Sequence, residues 1–414
     1  MSVPTTSMGP AGTSTRGRWS LVAAGLVVAA SLGSPTSAPS GADPGSSALR
    51  PRAVAAGLRF GATLEPAQIA DPDYAATLAA EFSSVTAENA MKWYAIEPER
   101  DAVDFSGADA VLGFAEANGM EVRGHALIWA QDRFTPAWVL AITDPDELRA
   151  EVEDHVRSVL ERYRGRIHRW DVVNEPLDTM GGARSDNVFE RVLGPDWIGD
   201  VFRLAHEVDP DAELWLNEYG PDWNPTKHRA LVALLRQLRS EGVPVHGVGI
   251  QTHRLTAGPP DRRTFEGILR DYAALGLRVA LTEVDVPTTP DAPGEVLLQA
   301  ATFETLVVSC LAVPACEEVT TWGVTDGDTW LDSLGLLPVP TRPLLFDERF
   351  RPKPAHRAVA RVLDGGRAAA RASSPWASPP MAPPTTTEIE PPSGPAAGVA
   401  PPASPVSADP TYTG

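Results

Sequence analysis

Eight short apolar runs punctuate the chain, and all but the first end in polar or aromatic residues. They are FGATL (Phe60–Leu64), SSVTAEN (Ser83–Asn89), VRGHALIW (Val122–Trp129), RWDVVNE (Arg169–Glu175), AELWLNEY (Ala212–Tyr219), GVGIQTH (Gly247–His253), RVALTEVD (Arg278–Asp285) and TTWGVTD (Thr320–Asp326). Runs of this length, rich in β-branched and aromatic residues, read as buried strands. Stretches with helical spacing separate them. One covers Asp144 to Gly165, with Asp144 as its N-cap and Pro145 in the first turn, where a missing N–H is tolerated. Another covers His228 to Gly242 and stops at a glycine.

Strand and helix alternating about eight times predict an α/β fold, a (β/α)8 TIM barrel over residues 49–365. A doubly wound open sheet is the alternative, but the glycine fingerprint that often accompanies it is missing. In a barrel the C-terminal ends of all strands meet on one face, where the chemistry of such proteins sits. The polar endings would then converge: Glu88, Asn89 and Lys92; His125 and Trp129; Asn174 and Glu175; Asn217 and Glu218; Gln251 and His253; Glu283 and Asp285; Trp322, Asp326 and Trp330.

A carboxylate-rich, tryptophan-lined pocket suits a sugar, whose C–H faces stack on indole while its hydroxyls take polar partners. Glycoside hydrolysis needs two carboxyl groups, one protonated and one ionised. Singly, each residue has a plainer reading: a glutamate caps a helix or pairs with an arginine, a tryptophan packs, and His253 is a satisfied core histidine. Convergence on one face favours the site, but it does not choose a catalytic pair among Glu88, Glu175, Glu218 and Glu283. The chain has no HExxH and no metal-ligand spacing, so neither a metal nor another cofactor is expected.

The formal charge of −19 argues against nucleic acid and anionic membranes as partners and leaves a neutral substrate open. Arg16 and Arg18 precede an apolar run from Trp19 to Gly33, and small residues follow. This pattern reads as a signal peptide over residues 1–42, with Met8 as another possible start and an uncleaved anchor as the alternative. A secreted, extracellular monomer, free of membrane after cleavage, is expected. Export favours a disulfide between Cys310 and Cys316 over two buried thiols. Residues 372–414, dominated by Pro, Ala, Ser and Thr, read as a disordered tail.

Taken in order, FGATL, TAENAMKW, RGHALIW, WDVVNEP, GVGIQTH, ALTEVDV and TWGVTDGDTW resemble the glycoside hydrolase family 10 xylanases from Phe60 to Trp330. The resemblance implies an endo-1,4-β-xylanase acting on xylan or a related β-1,4-glycan by a retaining double displacement. Glu175 matches the general acid/base and Glu283 the nucleophile, which a retaining enzyme holds about 5–5.5 Å apart. Asn174 matches the residue that holds the sugar 2-hydroxyl, and His253 and Asp285 those that orient the nucleophile. Glu88, Asn89, Lys92, His125, Trp129 and Gln251 match glycone-side positions, Trp322 and Trp330 an aromatic wall, and Cys310 and Cys316 a disulfide before the eighth strand.

Three features depart from the family's pattern. Ala130 stands where a second histidine is usual, the loop AQDRFTPAW is longer, and NEYG replaces NDYN, placing Glu218 and Gly220. Ala130 is expected to open space beside the sugar at the cleavage point and to remove a hydrogen bond. That keeps a cellulase or mixed-linkage glucanase as the rival reading. A noncatalytic carbohydrate-binding barrel is a third, disfavoured by the presence of both Glu175 and Glu283.

Overall fold

Eight parallel strands close on themselves in sequence order. They are β1 (Arg59–Leu64), β2 (Ser84–Ala87), β3 (Glu121–Trp129), β4 (Arg169–Asn174), β5 (Glu213–Glu218), β6 (Gly247–Ile250), β7 (Arg278–Val284) and β8 (Cys316–Thr321). β1 pairs with both β2 and β8, which closes the ring. The structure is a computed structural model and describes residues 48–377 except 255, 290, 291, 336 and 338. The expected signal peptide and most of the expected tail lie outside the described residues.

The strands are buried along almost their whole length, as expected of a parallel sheet covered on both faces. Large side chains fit the narrow interior because the neighbouring strand supplies glycine. Trp215 and Asn217 of β5 pair in register with Gly247 and Gly249 of β6. A Cβ at Gly247 would lie 2.5 Å from the Trp215 ring, and one at Gly249 would lie 2.2 Å from Asn217 Oδ1.

The barrel interior also carries charge. Arg123 bonds Asp171 (2.5 Å) and Glu318 (3.1 Å), and Arg169 bonds Glu318 (2.9 Å). All four are buried, two cations balancing two anions. Buried charges are tolerated when paired and hydrogen-bonded in this way. This cluster explains a difference from the expected eighth strand. β8 starts at Cys316 and ends at Thr321, so Trp322 to Thr325 form the loop beyond it and Asp326 opens a short 3-10 turn. Its two glutamates hide the apolar pattern, yet Glu318 points into the barrel and belongs to the ion cluster.

The helices follow the amphipathic pattern. Pro145–Tyr163 starts at Asp144, whose side chain accepts from the backbone N–H groups of Asp146 and Glu147. It buries Leu148, Val152, Val156, Val159 and Leu160 against the barrel, each worth roughly 1.5–3 kcal/mol relative to exposure. Pro225–Ser240 starts three residues earlier than His228, because Asn224 caps it through Thr226 and Lys227. Cys310 and Cys316 form a disulfide that ties the end of helix Pro293–Ala312 to the start of β8. The apolar core of that helix is long enough to cross a membrane by composition, but half of it is buried within the protein.

The last helix, Pro354–Ala372, runs past the expected boundary at residue 365 and bends at Gly366. The chain then stays packed. Ser374 Oγ donates to Glu266, and Trp376 Nε1 donates to the carbonyl of Arg263.

Candidate active site

A cleft of about 620 Å³ opens at the C-terminal ends of the strands. Glu88, Asn89, Lys92, His125, Trp129, Asn174, Glu175, Gln251, His253, Glu283, Trp322 and Trp330 all line it. Four residues expected to face it stand behind it instead. Asp285 and Asn217 bond to lining side chains. Glu218 is fully buried against Lys227 (2.8 Å), and Asp326 is paired with Lys353 (2.8 Å).

Glu283 lies in β7 and is 4% exposed. Its Oε2 is 3.0 Å from His253 Nε2, and its Oε1 accepts from Asn217 Nδ2 at 2.6 Å. The other ring nitrogen of His253 is 2.8 Å from Asp285 Oδ2, which also accepts from Trp330 Nε1. Burial alone would lower the pKa of His253. The Asp285 charge and hydrogen bond, then those of Glu283, outweigh it and push the imidazole up to about 10. Both ring nitrogens therefore donate at neutral pH. Burial alone would raise Glu283. The His253 hydrogen bond and the charges of His125, His253 and Lys92 instead hold its carboxyl below the usual range.

Glu175 follows the last residue of β4 and sits at φ +57°, where a side chain is uncommon. Its N–H donates to the Asn217 carbonyl at 2.9 Å, which carries the sheet pairing one residue past the strand. Pro176 then ends the run. One carboxylate oxygen accepts from Gln251 Nε2 at 2.8 Å and the other from Gln131 Nε2. Asn174 Oδ1 accepts from both Gln251 (3.2 Å) and Asn217 (3.0 Å), so its amide nitrogen is left for the cleft. Thr252, just past β6, is the other strand-end residue in the left-handed region, at φ +61°. Strained backbone of this kind collects at functional sites.

Across the cleft, burial and the neighbouring Glu65 charge push Glu88 up to about 7 against the opposing pull of Lys92. Lys92 is itself nearly buried, and burial lowers its pKa despite the surrounding carboxylates. The Trp129 ring is stacked by Phe134 (centroids 3.5 Å, planes 12° apart), and the Lys92 ammonium lies 4.4 Å from its centre. It is thus a packed wall. His125 Nδ1 bonds Asp171 Oδ2 at 2.9 Å, joining the cleft to the ion cluster below.

Ala130 opens no space here. Its side chain is fully buried in the apolar core, and its N–H donates to the Asn174 carbonyl. The next residue, Gln131, reaches the cleft instead. Gly220, noted above as a departure, also lines the cleft, and Gln131, Arg133, Phe134, Arg184, Asp186, Tyr219, Trp223 and Leu334 complete the lining without having been singled out from the sequence. Gln131, Tyr219 and Trp223 carried a signal, since they follow shortly after predicted strands. Arg184 and Asp186 sit in an irregular loop with no pattern to mark them.

The build is that of a barrel glycosidase. The family model for glycosyl hydrolase family 10 matches residues 48–362, and the chain belongs to that family. It is 35% identical over 308 residues to endo-1,4-beta-xylanase 3 of Hypocrea jecorina, covering 74% of this chain and 82% of that one. It is 37% identical over 302 residues to a beta-1,4-xylanase of Dictyoglomus thermophilum, covering 68% and 82%. Native xylanase 10B of Thermotoga maritima superposes with a TM-score of 0.72 at 33% identity, over 77% of this chain and 98% of that one.

Proposed function

We propose that the chain is a secreted endo-1,4-β-xylanase that cleaves xylan with retention of configuration. The observation that carries this reading is the unlike setting of two carboxyls in one cleft. Glu283 is fixed between Asn217 and a protonated His253, which suits an ionised nucleophile. Glu175 is gripped on both oxygens by neutral amides, which fixes its orientation without pairing it to a cation. The family's relatives named as xylanases support the substrate class.

In this mechanism Glu283 attacks the anomeric carbon as Glu175 protonates the departing oxygen. The sugar–oxygen bond breaks, and a glycosyl-enzyme forms on Glu283. Glu175, now ionised, takes a proton from water, which attacks the same carbon and frees Glu283. The oxygen of Glu175 that serves the leaving group exchanges its Gln131 partner for the glycosidic oxygen. Asn174, with its amide nitrogen free, holds the 2-hydroxyl. Glu88, Asn89, Lys92, His125 and Gln251 hold the glycone, walled by Trp129, Trp322 and Trp330.

Reducing-sugar release from xylan, cellulose and mixed-linkage glucan by the wild type, Glu175→Gln and Glu283→Gln tests the reading, with the anomer of the first product read by NMR. The expected result is release from xylan as the β-anomer, lost in both variants. Activity surviving in Glu283→Gln removes the nucleophile assignment. An α-anomer overturns retention, and preference for glucan overturns the substrate.

A further inference from the structure

Ten tryptophans lie among the described residues, and nine of their indoles engage another ring, a cation or a hydrogen-bond acceptor. Trp223 engages none of these among the described residues. It is 45% exposed and lines the cleft.

Its placement depends on Gly220. That residue sits at φ +80°, and a Cβ there would lie 2.9 Å from Trp223 Cζ2 and 3.2 Å from Cε2. The six-membered ring rests against the bare α-carbon, and an ordinary side chain at 220 would push it away. Gly220 also holds the turn, its carbonyl accepting from the N–H groups of Trp223 (3.3 Å) and Asn224 (2.9 Å). Asn224 Nδ2 donates to the Thr179 carbonyl (2.7 Å), and Thr179 Oγ1 pairs with the Tyr219 hydroxyl (3.0 Å). The turn after β5 is thereby fastened to the loop that leads away from Glu175. The departure at 220 therefore has a structural counterpart, an open indole held in place by the missing side chain.

The position indicates what would use it. Glu175 follows β4 and Glu283 lies in β7, so the barrel mouth is split between them. The larger part, from β8 round to β3, carries Glu88, Asn89, Lys92 and His125, assigned above to the glycone; Gln251, after β6, is the one member of that set outside it. The smaller part, beyond β5, carries Tyr219, Gly220 and Trp223. We infer that Trp223 is a stacking platform for a sugar of the leaving portion of the chain, and that Gly220 is the residue that admits it. The inference rests on the function proposed above. A half-exposed indole covered by a pyranose face buries enough apolar surface to change affinity about ten-fold.

Two substrates separate the sides. Xylohexaose fills the cleft beyond Glu175, whereas β-xylobiosyl fluoride has a single-atom leaving group that cannot reach Trp223. The readout is kcat/KM on xylohexaose divided by that on the fluoride. Trp223→Ala is expected to lower this ratio about ten-fold, Trp223→Phe to restore most of it, and Gly220→Asn to lower it by displacing the ring. An unchanged ratio in Trp223→Ala overturns the inference, whether both rates stay the same or fall together. A wild type inactive on both substrates overturns the proposed function instead.

Discussion

Asn217 Nδ2 stands 2.6 Å from Glu283 Oε1, and its orientation is fixed from behind. Thr282 Oγ1 donates to Asn217 Oδ1 at 2.7 Å, so the amide oxygen is taken and the nitrogen must face Glu283 and Asn174. Gly249 leaves the space in which that amide sits. One side chain thus positions the proposed nucleophile and the proposed holder of the 2-hydroxyl together.

Asn217→Ala removes a hydrogen bond to a charged group, worth about 1.5–3 kcal/mol. The expected loss in kcat/KM is about 10- to 100-fold. Asn217→Asp is expected to lose more, because it sets a second carboxylate against Glu283. Steady-state kinetics on xylo-oligosaccharides, with circular dichroism to verify folding, check the order.

The pH profile should report His253. Its folded pKa, about 10, lies above the ordinary 6.5. Its charged pairing is therefore fully present below 6.5 and lost as pH rises through about 10. Glu283 is shifted downward, so the support of its ionised form is present above its ordinary 4.5 and lost as pH falls through the lower folded value. In His253→Asn, burial of Glu283 is no longer opposed by that partner. The acidic limb of kcat/KM is expected to move to higher pH, whereas a purely structural loss would lower the rate without moving the limb.

Glu318→Gln leaves Arg123 and Arg169 short of a buried counter-charge. Breaking such a cluster costs roughly 3–5 kcal/mol. Urea unfolding of the variant should give a clearly lower midpoint with the same slope.

Replacing Cys310 and Cys316 together by Ser opens a loop with a sequence separation of 6. In the chain-entropy account a loop this short is worth about 2 kcal/mol. A melting temperature lower by a few degrees is expected, with kcat and KM unchanged, because the bond sits at the opposite end of β8 from the cleft. Calorimetry and kinetics on the same sample check both halves.

Most of the barrel was legible because each strand ends in a recognisable change of pattern. RWDVVNE becomes β4 and places Asn174 and Glu175, and RVALTEVD becomes β7 and places Glu283. β8 was misplaced because periodicity cannot distinguish a buried glutamate from a solvated one, and Glu318 is neutralised by arginines on β3 and β4. The same blindness hid the fate of Glu218. It ends a strand as Glu175 nearly does, but Lys227 draws it under the floor. Ala130 misled for a different reason. Its side chain turns into the apolar core, and the next residue, Gln131, is the one that reaches Glu175. Which neighbour faces a cleft depends on loop geometry that spacing alone does not encode.

Asp171 takes hydrogen bonds from Arg123 below and His125 above. The polar column in the middle of the barrel is therefore continuous from its scaffold to its reaction chamber. An engineer who replaced the ion cluster with tightly packed aliphatic residues would be editing the cleft as well. His125 would lose the partner that fixes its ring, and its charge helps keep Glu283 ionised. Stability and chemistry share a conductor here, and the barrel core cannot be tuned as inert filling.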